Sequence, residues 1–224
     1  MKKFELTNEY IVKNGKKLFR IRALIDISDR VKASTLGGYV EKEENLDQYD
    51  NAWVYGNAQV YDDARVYDDA RVYGNAQVYD DARVYGDAQV YGDAQVYGDA
   101  QVCGNALVSG GTDILQIKGL GTVRRTTTAY KTKNGIEIVC GCFRGGVEAF
   151  KAQVANTRDG KVGDEYLKFA ELIEIYFGDK ALEKKRQIMT SKEAANILKL
   201  MLIIMPAEPR GNGKSMEPLS YSDK

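Results

Sequence analysis

The chain has 224 residues, 32 of them basic and 32 acidic, so its formal net charge is zero, and it contains no histidine. Without imidazole, the usual general base near neutral pH and the usual zinc ligand are both missing, which removes the standard forms of that chemistry. Three cysteines are an odd number for a disulfide framework, and the longest apolar run, 197–205, contains Lys199 and is far too short to span a membrane.

Residues 1–35 read as an N-terminal cap. Lys13-Asn14-Gly15-Lys16 lies between two β-rich runs within 4–24, and Asn-Gly flanked in this way signals a tight hairpin turn. Such a hairpin would cover the open end of the structure that follows. Residues 25–35 read as a loop. The opening residues are charged, with no apolar stretch of signal-peptide length, which leads to the expectation of a cytoplasmic protein.

Residues 36–118 read as a solenoid. From Val54 the chain runs as hexads, VYGNAQ, VYDDAR and VYGDAQ among them, without insertion to Asp113. Val recurs every sixth residue from Val54 to Val108, and Ala sits two residues before nearly every Val. Ala-x-Val-Tyr is a short strand with Ala and Val on one face, and the two residues after Tyr are turn formers. One hexad cannot bury its own Val, whereas stacked hexads can. Upstream, Leu36 falls in phase with the Val column. This makes 36–53 a degenerate first coil, with Val40, Leu46 and Ala52 in the small inward position and Lys42 and Gln48 where Val belongs. The stretch 36–113 holds 4 basic and 15 acidic residues, against 28 and 17 in the rest of the chain. An acidic solenoid between basic ends is a poor partner for a nucleic-acid backbone.

The hexads resemble the left-handed parallel β-helix of the trimeric, LpxA-like hexapeptide-repeat proteins. The stretches IRALIDIS, LGGYVEKEENL and NAWVYGNAQVYG resemble the opening of phage and prophage members often labelled transferases. That resemblance implies a left hand and three hexads per coil, so residues 18 apart stack. One face then carries Tyr61, Tyr79 and Tyr97 with Gln59, Gln77 and Gln95. A second carries Tyr67, Tyr85 and Cys103 with Arg65, Arg83 and Gln101. The third carries Tyr55, Tyr73 and Tyr91 with Trp53, Arg71, Gln89 and Leu107. The uncharged Tyr/Gln face is the expected contact between copies in a homotrimer.

Residues 119–180 read as a ββαα domain. Lys133-Asn134-Gly135 marks a second hairpin turn. Val147, Phe150 and Val154, then Tyr166, Phe169, Ala170, Ile173 and Phe177, recur at helical spacing, with Asp164 as N-cap and Gly178 as stop. The motifs KTKNG, CGCF, EAF and EYL resemble the same phage group. Residues 190–205 read as an apolar helix for docking or oligomerisation, with Leu198 and Leu202 on its contact face, and 206–224 as a disordered tail.

Three constellations are candidates for chemistry. Arg144-Gly145-Gly146 precedes a predicted helix whose free N–H groups, with Arg124, Arg125 and Thr127 on the neighbouring hairpin, would suit a small anion. Cys140 and Cys142, at i and i+2, share a strand face but lack a third ligand, so no metal is expected. The paired aspartates at the corners read as a solvated acidic edge. The chain is therefore expected to be a mainly β, non-enzymatic phage-type protein with no cofactor and no catalytic residues. It would act as a homotrimer in the host cytoplasm and bind a host protein or a small anion. The alternative, implied by the resemblance, is an acyltransferase-like enzyme with a mechanism that does without histidine.

Overall fold

The computed structural model describes residues 1–178. The helix expected at 190–205, with Leu198 and Leu202, and the tail at 206–224 lie outside the described residues. Strands β1 (Phe4–Lys13) and β2 (Lys16–Ala23) form the predicted hairpin, turning at Asn14 and Gly15 with positive φ at both. Strand β3 (Leu36–Val40) pairs antiparallel with β2 and parallel with the first solenoid strand of its face. Ten two-residue strands, β4 to β13, follow: Trp53–Val54, Gln59–Val60, Arg65–Val66, Arg71–Val72, Gln77–Val78, Arg83–Val84, Gln89–Val90, Gln95–Val96, Gln101–Val102 and Leu107–Val108.

These strands stack as three parallel sheets. Gln59, Gln77 and Gln95 are in register on one, Arg65, Arg83 and Gln101 on the second, and Trp53, Arg71, Gln89 and Leu107 on the third. The 18-residue period and all three faces are as expected. The fold is a parallel β-solenoid of about four turns. Each coil is bonded to the next by the N–H groups on either side of Val, as in Gln59 N–H to Ala76 O (2.9 Å) and Tyr61 N–H to Val78 O (3.1 Å). The Val side chains of β4–β13 and the Ala side chains from Ala52 to Ala106 are all buried, in one Val column and one Ala column on each face. Tyrosines 18 apart stack outside them, as in Tyr67–Tyr85, 4.9 Å between centroids and 3° between planes.

The first coil differs from the expectation. Val40 pairs with Val60 and Leu46 with Val66, both 20 residues on, while Trp53 pairs with Arg71 at the ordinary 18. Val40 and Leu46 therefore stand in the Val column itself, Lys42 and Gln48 do not, and Leu36 is half-exposed at the edge. Two extra residues between Leu46 and Trp53 cause the shift. Lys3 holds the enlarged corner. Its ammonium is buried and donates to the carbonyls of Tyr49 (2.8 Å), Asp50 (3.3 Å) and Ala52 (3.1 Å). Burial lowers its pKa to about 8 against the pull of Asp47 and Asp50, so it remains charged at neutral pH.

Beyond the last coil, β14 (Ile114–Leu120), β15 (Arg125–Thr132), β16 (Gly135–Cys140) and β17 (Phe143–Gly145) make one antiparallel sheet. The two strands expected from sequence are the central pair, and β14 and β17 flank them. Helices α1 (Val147–Thr157) and α2 (Gly160–Phe177) follow. Helix α2 starts after Asp159 rather than at Asp164, because Gly160 takes positive φ and turns the chain there. One face of the sheet joins the solenoid core through Ile114, Tyr130 and Val139. The other, with Ile117, Ala129 and Ile138, packs on Phe150, Val154, Phe169, Ala170 and Ile173. Among the described residues no helix is long and apolar enough to cross a membrane.

Lys3→Met leaves three carbonyls of the first corner without their donor and is expected to cost about 1–3 kcal/mol. Lys2→Met, which loses only an exposed pair with Glu43, should cost about 1 kcal/mol at most. Urea midpoints of the two variants check this difference.

Candidate functional site

The residues expected to form an anion site do not come together. Arg144 sits on β17 opposite Val139, on the sheet face turned toward the solenoid. Its Nε donates to Glu137 Oε1 (2.7 Å), and its guanidinium lies against Gly104, where a Cβ would stand 1.8 Å from Nη2. Thr127 is on the opposite face, fully buried, and donates to the Cys140 thiol (3.2 Å). The physical reason is strand alternation: adjacent residues point to opposite faces, and Thr127 is one residue out of step with the face that carries Arg144. Arg124 is exposed in the turn between β14 and β15, at the far end of the hairpin, and Arg125 opens β15 beside it. Gly146 caps α1 through extended backbone, with Gly145 just before it in β17. Positive φ at Gly141 ends the strand between the cysteines, so Cys142 is an exposed turn residue and does not share Cys140's face.

The structure instead builds a polar cluster at the joint between solenoid and sheet. Cys103 stands where Tyr would continue the Tyr67–Tyr85 ladder, and its small side chain makes room for Tyr130, which enters from β15. The Tyr130 hydroxyl accepts from Cys103 N–H (3.3 Å), touches its Sγ (3.2 Å) and donates to Glu137 Oε1 (2.7 Å). Burial, with the thiol and Glu137 beside it, holds the Tyr130 phenol far above its usual range. Each member of this cluster is held by another, so the cluster fixes the angle of the domain on the solenoid. The single Tyr-to-Cys change in the repeat was its only sequence signal.

The corner aspartates have structural work that the sequence did not reveal. Asp62, Asp68 and Asp80 adopt positive φ where other hexads have Gly. Asp68 Oδ2 accepts from Gly86 N–H (3.1 Å), and Asp80 Oδ2 from Gly98 N–H (3.0 Å), each 18 residues on. The carboxylates bind the next coil's backbone rather than standing free in water.

The Tyr/Gln face is only partly open. Tyr61 is buried in a cluster with Leu18 of the hairpin and Tyr39, and Gln59 is half-buried. Gln77 and Tyr79 are half-buried, whereas Gln95 and Tyr97 are exposed. Any partner on this face therefore meets its upper part, since the hairpin already covers the base. On the second face, a shallow depression of about 310 Å³ is lined by Glu44, Asp47, Arg65, Val66, Tyr67 and Arg83.

A family model described as the YdcK Beta solenoid repeat matches residues 58–74, 64–77, 76–92 and 100–112. With the stacked coils, this identifies the chain as a repeat β-solenoid protein. None of the curated proteins matches it.

Cys103→Tyr restores the repeat residue but drives a ring into Tyr130, and is expected to destabilise the fold by about 1–3 kcal/mol, read as a lowered urea midpoint. A pH prediction follows from the ladders. Burial raises the Tyr55, Tyr67, Tyr73 and Tyr79 phenols and pushes Tyr61 to about 12, above the ordinary 10.0. Folded phenols thus keep protons that unfolded ones lose. Stability is whole below the ordinary value and falls as pH rises from there toward 12. Denaturation midpoints should drop over that window, with phenolate absorbance appearing together with unfolding.

Proposed function

We propose that this chain is a non-enzymatic, phage-type binding protein that assembles as a homotrimer. The observation that carries the reading is the upper part of the Tyr/Gln face. In a chain with 29% charged residues, Gln77, Tyr79, Gln95 and Tyr97 form a flat, in-register surface with no charge on its ladder. Depletion of charge and enrichment in Tyr mark the centre of protein interfaces. A short solenoid with a thin Val/Ala core also gains from covering such a face.

Two further features favour binding over catalysis. The chain lacks histidine, and its most closely connected titratable groups, from Cys103 to Arg144, are joined to one another inside the domain joint. Resemblance of the opening and C-terminal motifs to phage proteins supports a role inside a host cell, with a host protein or a small anion as the bound species.

Light scattering on the purified full chain tests the assembly. The wild type is expected to run as a trimer at micromolar concentration. Tyr97→Asp places a charge in the proposed interface and should yield monomer with little change in thermal midpoint. A monomeric wild type, or a trimer indifferent to Tyr97→Asp, would overturn the interface. Calorimetric titration with acetyl-CoA should give no binding heat, and saturable binding would favour the acyltransferase-like alternative.

A further inference from the structure

On the second and third faces a tyrosine hydroxyl bonds to the glutamine 16 residues on. The Tyr73 hydroxyl donates to Gln89 Oε1 (3.1 Å), and Tyr85 to Gln101 Oε1 (3.2 Å), each 16 residues on. The same step from Tyr67 arrives at Arg83, whose guanidinium has five N–H donors and no acceptor. The Tyr67 hydroxyl makes no hydrogen bond with the described residues. Arg65 pairs in register with Arg83, so their Cα atoms are about 4.8 Å apart, the spacing of neighbouring strands. Both arginines are exposed, and neither forms an ion pair or side-chain hydrogen bond among the described residues. Two guanidinium groups and one phenol thus present donors, without acceptors of their own, at one depression. Its other polar lining residues, Glu44 and Asp47, are acceptors.

We infer that this depression binds a small phosphomonoester. Its phosphate oxygens take the N–H groups of Arg65 and Arg83 and the hydroxyl of Tyr67. Glu44 and Asp47 accept from hydroxyl or ammonium groups on the rest of the molecule. Three donor side chains, two of them cationic, match the three terminal oxygens and double charge of a phosphomonoester better than the two oxygens of a carboxylate. The acidic coils around the site oppose a long polyanion, which must bring many charges close, far more than one phosphate held by direct contacts. This inference deepens the binding-protein reading and rests on it, but its test is independent of the Tyr97 interface, so the two can fail separately.

The test uses the full chain with inorganic phosphate, phosphoethanolamine and acetate as probes, titrated by calorimetry. Gln fills the position of Arg65 and Arg83 in half of the hexads, so Arg65→Gln and Arg83→Gln fit the repeat, and Arg83→Gln gives Tyr67 the acceptor it lacks. Wild type is expected to bind phosphate at millimolar concentration and phosphoethanolamine more tightly. Each variant should weaken both about tenfold without lowering the thermal midpoint. Arg71→Gln, on the third face, should leave binding unchanged. No phosphate binding by the wild type, or unchanged binding in the Arg65→Gln/Arg83→Gln double variant, overturns the site. Acetate binding as tightly as phosphate overturns the assignment to a phosphomonoester.

Discussion

Everything in this molecule depends on the equal length of its coils. Columns of buried Val and of buried Ala can run up each face only while each coil spends 18 residues before returning to the same face. One residue more or fewer would turn Val outward and set the outer Tyr and Gln into the core. The same constraint brings tyrosines to about one strand spacing, where their rings stack nearly parallel. It also lets a corner aspartate reach the backbone of the next coil. Core, ladders and corners are three results of one register.

The constraint also explains the two ends. At the bottom, the first coil is two residues too long, and the excess is gathered into one corner where the Lys3 ammonium replaces the missing coil-to-coil hydrogen bonds. The hairpin that carries Lys3 continues one sheet antiparallel and lays Leu18 over the base of the Tyr/Gln face. At the top, the tyrosine column of the second face ends at Cys103. A residue smaller than Tyr leaves a gap in a ladder, and Tyr130 from the next sheet fills it. Each end is closed by a side chain brought in from outside the repeat.

How far the sequence was readable follows from this. Where hexads are uninterrupted, the six-residue period together with the three hexads per coil implied by the resemblance placed every residue on its face. It misplaced the first coil because Leu36, Lys42 and Gln48 on one phase and Val40 and Leu46 on another are both six apart. Gly38 was the clue. It occupies the small position two before Val40, where a Cβ would stand 2.6 Å from the Ala58 carbonyl oxygen. In the C-terminal sheet, helical spacing found the buried faces of both helices. The residues of the expected anion site fall on different faces there because three threonines in a row, Thr126 to Thr128, alternate between two faces, and only strand pairing tells which one Arg144 shares. Arg65 and Arg83 went unnoticed as a site because each looks like an ordinary member of a ladder.

Their pairing has a physical origin within the repeat. Arg65, Arg71 and Arg83 each follow an Asp-Asp corner, while hexads with Gly at the corner carry Gln, Leu or, in the last, Asp at the same place. An aspartate at the positive-φ position caps the next coil's N–H but adds a second charge to a corner that already holds one. An arginine two residues past the pair brings an opposite charge into the same hexad, without closing an ion pair. That opposite charge is local to each hexad, but the coil period decides where the arginines stack. Two of the three Asp-Asp hexads lie 18 residues apart, so Arg65 and Arg83 fall in register on the second face, while Arg71 stands between Trp53 and Gln89 on the third. A substitution pattern that balances charge within single hexads thus becomes, through the period, a pair of cations on one face of an otherwise acidic solenoid.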